Sequence, residues 1–411
     1  MTGMEEKENA APITVLAIGG AGCRVIGFLA DSPLAAGLRF RALDTDASGL
    51  EASGLKPESC LLAGARWRSG RGCGGNVLDG QRAVAHERAG IERLIAGAPL
   101  LLVVGGLGGG TASGGVPVVL SVARKLGIPA LFLLTLPFTL EGHSKRKIAE
   151  DTVRNELLDL ADAVICLPND LLFSVLEPTT PLAEAFRLAD SEVSRTVLAL
   201  TAVLRHGNLL APDFGSFVTL LRKRKSFCSI GIGVAERSLD GDGCGEAALE
   251  RLLHSPLLGG AEKLGSADAV IFSLLGGPEL SIGETRLLLE LAGRNCRPEA
   301  RLIVGAATGE EWRGMIQLCA VTVKFDAESE ISEVMHRTAD RTPPRTRGGR
   351  SGGTAVAPDS EALQLDLPLQ EPVSKGIMEK TAAVFWRNED LDIPTYARRN
   401  VIIDNGKHSG E

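Results

Sequence analysis

The sequence predicts a two-domain α/β protein whose first domain is a parallel sheet covered by helices on both faces. Three observations predict this. Short, unbroken apolar runs alternate with helical patterns over residues 12–180. Several of those runs end in glycine-rich turns that lead into the next helical pattern. One long helical segment then separates this region from a second set of strand and helix patterns.

The elements follow in order. The first apolar run is 13–18, and others lie at 40–43, 100–104, 130–136 and 163–167. Their continuous apolar character fits strands buried on both faces. Helical patterns at about 21–35, 76–97, 112–126 and 143–161 fall between them, and this alternation is that of a parallel sheet with crossover helices. Pro181 suits a first helical turn and Gly207 a stop, so a central helix is expected over 181–206. Strands at 227–235, 269–275, 301–307 and 317–325, with helices at 215–222, 245–254 and 281–293, form a smaller α+β domain over 207–326. Residues 1–11 read as a flexible start. The arginine- and glycine-rich stretch 341–353 cannot build a core, so 327–389 reads as a disordered linker. The segment 390–400 holds the only tyrosine, Tyr396, and reads as a docking peptide at the end of that linker.

Composition narrows the classes. The 411 residues are 44% hydrophobic but only 4% aromatic, so a large core must come from Leu, Val, Ile and Ala. A net charge of -7 argues against a nucleic-acid binder. The eight cysteines form no CxxC pair, which fits reduced thiols in a cytoplasmic protein without a structural metal. The N-terminus is polar and acidic, and no apolar run has the length of a membrane span.

The chemistry is expected at the glycine-rich turns. GGLGGGTASGG at 105–115 lies between an apolar strand run and a helical pattern, and Ile18-Gly19-Gly20-Ala21-Gly22-Cys23 has the same context. Glycine lets a ligand approach backbone N–H groups, and a helix N-terminus adds partial positive charge. With a third such turn at 70–76, the ligand is expected to carry several phosphates and to lie beyond the strand ends. No GxxxxGK[ST] occurs, which excludes a P-loop. Gly20 to Val25 nearly makes GxGxxG, with Asp44 following at dinucleotide spacing, so a nicotinamide-dependent oxidoreductase is one reading. Val25 replaces its third glycine, and it leaves the other two turns unexplained.

A set of motifs is more specific. GGGTASG at 108–114 resembles the tubulin signature GGGTGTG. Asp44-Thr45-Asp46-Ala47 resembles NTDA, Gly72-Cys73-Gly74-Gly75-Asn76 resembles GAGGN, and Pro137 to Gly142 resembles PFNFEG. Pro168-Asn169-Asp170 matches PND. Ser255 to Leu258 resembles SPLL, Gly276 to Ser281 resembles GGPDLS, and Leu391-Asp392-Ile393-Pro394 resembles the start of LDIPAFLR. In order and spacing these resemble the family of FtsZ, the bacterial cell-division homologue of tubulin.

The resemblance implies a tubulin-like GTPase domain that binds GTP or GDP, with Mg²⁺ at the phosphates and no metal site made of side chains alone. It places Gly19, Gly20, Ala21, Gly22 and Arg24 at the phosphates. It places Gly108, Gly109, Gly110, Thr111, Ala112, Ser113 and Gly114 there too. Asp46, Gly75 and Asn76 belong to the same site, and Glu141, with Lys145 in its loop, reaches the ribose. Phe186 stacks on guanine, while Asn169 and Asp190 read its polar edge. The resemblance further implies head-to-tail protofilaments. Hydrolysis then occurs at a site shared between protomers, to which the neighbour contributes a loop of pattern NxDxxD.

The chain departs from the family there. The loop reads Ala211-Pro212-Asp213-Phe214-Gly215-Ser216, so Asp213 survives, Ala211 replaces Asn and Ser216 replaces the second Asp. Serine carries no charge to polarise water, and losing one such contact costs roughly 10²–10³ in rate. Arg24 stands where the family has Asn, and Lys145 where it usually has Arg. The expectation is a Z-ring-type cytoskeletal GTPase with slow turnover, acting at the division site on the inner face of the membrane. Its Leu391, Asp392, Ile393, Pro394, Tyr396 and Arg398 would dock on a membrane-anchored adaptor. The alternative is a nucleotide-binding filament or regulatory subunit with little hydrolysis, co-polymerising with another tubulin-like protein.

Overall fold

In the computed structural model, β1 (Ile13–Ile18) sits inside a parallel array ordered β3–β2–β1–β4–β5–β6. Here β2 is Leu38–Asp44, β3 Cys60–Leu62, β4 Leu101–Gly106, β5 Ala130–Leu136 and β6 Ala163–Pro168. The sheet continues through β7 (Phe227–Glu236), β10 (Met315–Lys324), β8 (Ala269–Gly276) and β9 (Arg301–Thr308). β7 runs parallel to β6 and meets it at only two registered positions, while β10 runs antiparallel to both β7 and β8. The structure describes residues 12–30, 32–173, 176–177, 179–203 and 227–325, with two dipeptides at 385–386 and 389–390. The expected helix 215–222 and the loop carrying Ala211, Asp213 and Ser216 lie outside the described residues. So do residues 1–11 and the docking residues Leu391 to Arg398.

The apolar runs are continuous because both faces of the sheet are covered. All of β1 is buried. Its Leu16 and Ile18 join one core with Val84, Ile95 and Val116; Val15 and Ala17 join another with Ile26, Val193 and Val197. The first core is covered by α4 (Val77–His86), α5 (Arg88–Ile95) and α6 (Gly110–Lys125), the second by α1 (Gly19–Leu29) and α9 (Leu182–Val203). Short helices α2 (Ala47–Glu51), α3 (Ala65–Arg68) and α8 (Asn169–Phe173), and α7 (His143–Asp151), complete this half.

Several boundaries differ from the sequence expectation for local reasons. The helix expected at 21–35 begins at Gly19 and ends at Leu29; Pro33 then opens a separate 3₁₀ turn. The pattern at 76–97 is two helices, because Glu87 leaves helical geometry between them. The pattern at 143–161 leaves α-helical geometry at Thr152, where a π-helical turn runs to Leu157. The Thr152 hydroxyl there donates to the Ile148 carbonyl at 2.8 Å. β3 has three residues, too few to show a period.

The central helix joins the two halves. Ala189, Val193 and Val197 of α9 share one core with Ile165 of β6 and with Ile230, Ile271 and Val321 of β7, β8 and β10. On the far side of the second half, helices Cys244–Leu253 and Ile282–Arg294 cover Phe272, Leu274 and Leu318. Ser281 and Glu284 form a capping box that starts the latter. Residues Met1–Pro343 form one unit and Pro344–Glu411 another; in the second, Phe385–Trp386 pairs antiparallel with Glu389–Asp390. Among the described residues no helix is long and apolar enough to cross a membrane.

Candidate functional site

β1 and β4 are neighbours, but β1 is followed by β2 on one side and β4 by β5 on the other. Connections that diverge at the carboxyl ends of such strands leave a crevice between them. A cleft of about 630 Å³ fills that crevice. The three glycine-rich turns form one wall of it: Gly19, Gly20 and Ala21 at the start of α1, Gly108 to Gly110 at the start of α6, and Gly74 and Gly75 between them.

Neither α1 nor α6 has a side-chain cap at its start. Their first N–H groups are therefore orphan donors at the positive ends of two helix dipoles, which is the arrangement an anion requires. Gly108 shows why a side chain is not tolerated. Its φ is +93°, and a Cβ there would lie 2.6 Å from the Pro137 ring and 3.0 Å from the Lys145 carbonyl. A buried hydroxyl cluster ties the turns together. The Thr45 and Thr111 hydroxyls lie 2.6 Å apart, Cys73 Sγ is 3.5 Å from Thr111 Oγ1, and the Gly72 N–H donates to the Thr45 carbonyl at 2.9 Å.

Four residues expected at the ligand stand behind this wall and build it. A Cβ on Gly22 would come within 2.3 Å of the Val104 carbonyl, and one on Gly114 within 2.3 Å of the Val77 carbonyl, so these glycines let helices pack. Asn76 caps α4 by accepting from the Asp79 N–H at 3.1 Å. Ser113 Oγ accepts from the Gly108 N–H at 2.9 Å and fixes the loop. Thr111, Ala112 and Asp46 do line the cleft, and Asp46 also caps α2.

The other end of the cleft is aromatic and polar. Phe186 and Asp190 are one helical turn apart on α9, and the Phe186 ring meets Phe138 edge-on at 4.9 Å. Asn169, at the start of α8, lines the same end with a buried Oδ1 that has no partner among the described residues. Glu141 accepts from the Phe138 N–H and from Lys145 Nζ, each at 3.0 Å. Arg24 turns away from the glycine wall, and its Nε donates to Asp190 Oδ2 at 2.7 Å. Burial pushes the Asp190 carboxyl up, and Arg24 pulls it back down.

Arg24 and Lys145 are the only cations among the described residues lining the cleft, and each is already ion-paired. A polyphosphate must therefore be neutralised by backbone N–H groups and an added cation. Among the described residues, no three His, Cys, Asp or Glu side chains are grouped to hold a metal. Mg²⁺ keeps several waters and is held by phosphates with one or two carboxylates, and Asp46 on the cleft wall could supply such a carboxylate to it.

The sequence reading assigned Thr45 and Cys73 no ligand role and Asp44 one only in the dinucleotide reading, although all three line the cleft. Asp44 is 2% exposed; its Oδ1 accepts from the Thr45 and Asp46 N–H groups at 2.7 and 3.3 Å, while its buried Oδ2 has no partner among the described residues. The signal available was its place at the last residue of β2, next to the strand where the order reverses.

Comparison with known proteins agrees with this architecture. Residues 12–177 match the Tubulin/FtsZ family GTPase domain, and residues 227–326 match the FtsZ family C-terminal domain. Among solved structures, an empty FtsZ dimer from M. jannaschii is 28% identical with a TM-score of 0.71, over 79% of this chain and 91% of that one. CetZ2 from Haloferax volcanii, solved as a GTPγS-bound protofilament, is 21% identical with a TM-score of 0.63, over 79% and 97%. CetZ from Methanosaeta thermophila is 18% identical with a TM-score of 0.66, over 80% and 90%. At those identities the two CetZ structures speak to fold alone.

Proposed function

The chain belongs to the tubulin/FtsZ family of polymer-forming cytoskeletal GTPases, and on that premise we propose that it binds GTP in the cleft and assembles head to tail into filaments that hydrolyse it slowly. The observation that carries the proposal is the cleft itself, where three glycine-rich turns meet two uncapped helix starts at the β1/β4 reversal. An anionic chain lies along that wall, and its terminal charge is met by N–H groups that need not reorganise. The purine then reaches Phe186, with Asn169 Oδ1 and Asp190 as acceptors for the ring N–H and amino group of guanine. Adenine presents the opposite polarity at its ring nitrogen. Mg²⁺, when bound, spreads the charge of the transferring phosphoryl group.

The shared hydrolytic site of the family is the basis for slow turnover. Asp213 of one protomer acts on the GTP of the next, and Ser216 orients water without the charge of a second Asp. Assembly supplies a division ring, and residues 391–399 link it to a membrane-anchored adaptor on the inner face of the membrane. The Ala211 and Ser216 positions also favour a second reading, a filament or co-polymerising subunit that binds nucleotide and hardly hydrolyses it. Both matched models describe a GTPase family and neither a nicotinamide-dependent one.

Phosphate release, measured against the concentration of the pure protein with GTP and Mg²⁺, separates the readings. The expected result is release that begins only above a threshold concentration, with filaments sedimenting above the same threshold. Filaments without release support the second reading. Neither filaments nor retained GTP would sink both.

A further inference from the structure

We infer that Arg24 is a base-specificity residue: its guanidinium, fixed by Asp190, donates to the 6-oxo group of a bound guanine while Asp190 accepts from the ring N–H beside it. This rests on the reading of the cleft as a GTP site. The family resemblance put Arg24 at the phosphates. The structure places it elsewhere. Arg24 lies on α1, one turn beyond the glycines, and reaches across to α9, where its Nε meets Asp190 Oδ2 at 2.7 Å. The two side chains line the cleft beside Phe186 and Asn169.

What each group has left to offer decides the argument. A guanidinium has five N–H donors in one plane. Nε–H is used by Asp190, and the terminal nitrogens have no hydrogen-bond partner among the described residues. The Arg24 side chain remains 48% exposed against 13% for Asp190, so the carboxylate is the recessed member and the guanidinium the exposed one. Asp190 Oδ1 likewise remains free to accept. The pair thus presents a donor beside an acceptor. Guanine presents the complement, an oxo acceptor beside a ring N–H donor. Adenine presents an amino donor and a bare ring nitrogen, which sets N–H against N–H and lone pair against lone pair. Specificity gained this way includes rejection as well as attraction. Burial pushes the Asp190 carboxyl up, and the Arg24 guanidinium beside it opposes that shift.

The test uses the full-length protein and nucleotides that differ at one atom of the base. GTP, 6-thio-GTP and ITP are titrated against wild type, Arg24→Met and Asp190→Asn. The expected wild-type preference for GTP over 6-thio-GTP is about 10–100-fold, the range of a hydrogen bond to a charged donor. In Arg24→Met that preference collapses toward unity, while the preference for GTP over ITP, which reports the 2-amino group, persists. In Asp190→Asn, GTP and ITP weaken together, since both carry the ring N–H that Asp190 accepts, and the 6-oxo preference falls because the guanidinium loses the carboxylate that fixes it. Arg24→Gln, which keeps an amide donor, retains part of the 6-oxo preference and guards against a merely misfolded variant. If Arg24→Met weakens GTP and 6-thio-GTP equally, the arginine only ties α1 to α9 and the inference is overturned, with the GTP reading intact. If wild type binds no guanine nucleotide at all, the GTP reading fails first and the inference with it.

Discussion

Asp44 is a carboxylate enclosed at the phosphate end of the cleft with one oxygen satisfied by two backbone N–H groups and the other by nothing among the described residues. Burial pushes its pKa up, and the N–H bonds from Thr45 and Asp46 offset only part of that. A group whose folded pKa is raised binds its proton more tightly in the native state. Stability then falls as pH rises from the unfolded value, about 3.9, through the folded one. Asn at this position cannot ionise. Asp44→Asn is therefore expected to raise the unfolding midpoint more at pH 8 than at pH 4, since only the carboxylate loses stability as pH rises. Thermal unfolding of both proteins at the two pH values checks this, and an equal gain at both would show that ionisation is not the cause. The residue scale is also where the sequence was least informative. The family resemblance placed Gly22, Gly114, Asn76 and Ser113 at the ligand, and the motifs alone do not separate a residue that faces a ligand from one that packs on the next helix. What sets Gly22 and Gly114 apart is that they do not line the cleft and that a Cβ on either would come within 2.3 Å of a neighbouring backbone carbonyl, Val104 or Val77.

At the scale of elements, the strands were legible because double-sided burial leaves an unbroken apolar run, as in β1 and β6, where every residue is buried. Helix interruptions were not, since the break at Glu87 and the π turn at Thr152 change the path of the backbone without changing the apolar spacing. α9 was legible in extent, but its role was not. One helix supplies Phe186 and Asp190 to the cleft and Val193 and Val197 to a core drawn from both halves of the sheet. Two domains that share a core in this way are expected to unfold together. Val197→Ala removes two fully buried methyl groups, worth about 2 kcal/mol. It should lower a single calorimetric transition without splitting it. Two separated transitions in the variant would mean that the halves are held independently and that the shared core does not couple them.

The whole molecule divides differently from its secondary structure, with one unit ending at Pro343 and a second running from Pro344 to Glu411. Every described residue lining the cleft belongs to the first. A chain cut after Pro343 is expected to keep its GTP affinity and its unfolding midpoint. If residues 391–399 dock on a membrane-anchored adaptor as proposed, the cut chain loses that capture. Loss of GTP affinity on truncation, read by calorimetric titration, would contradict this division. The sheet of the first unit has a further consequence for the newborn chain. β10 is the last of its strands to be made, yet it lies between β7 and β8. About 80 residues separate it from β7, roughly 4–16 s of synthesis at about 5–20 residues per second. Through that interval β7 carries an unpaired row of N–H and C=O groups, and β8 does so from its own synthesis, about 40 residues before β10. Neighbouring nascent copies on one messenger offer the same row. The yield of this protein in a cell is thus decided partly by how closely its ribosomes are spaced.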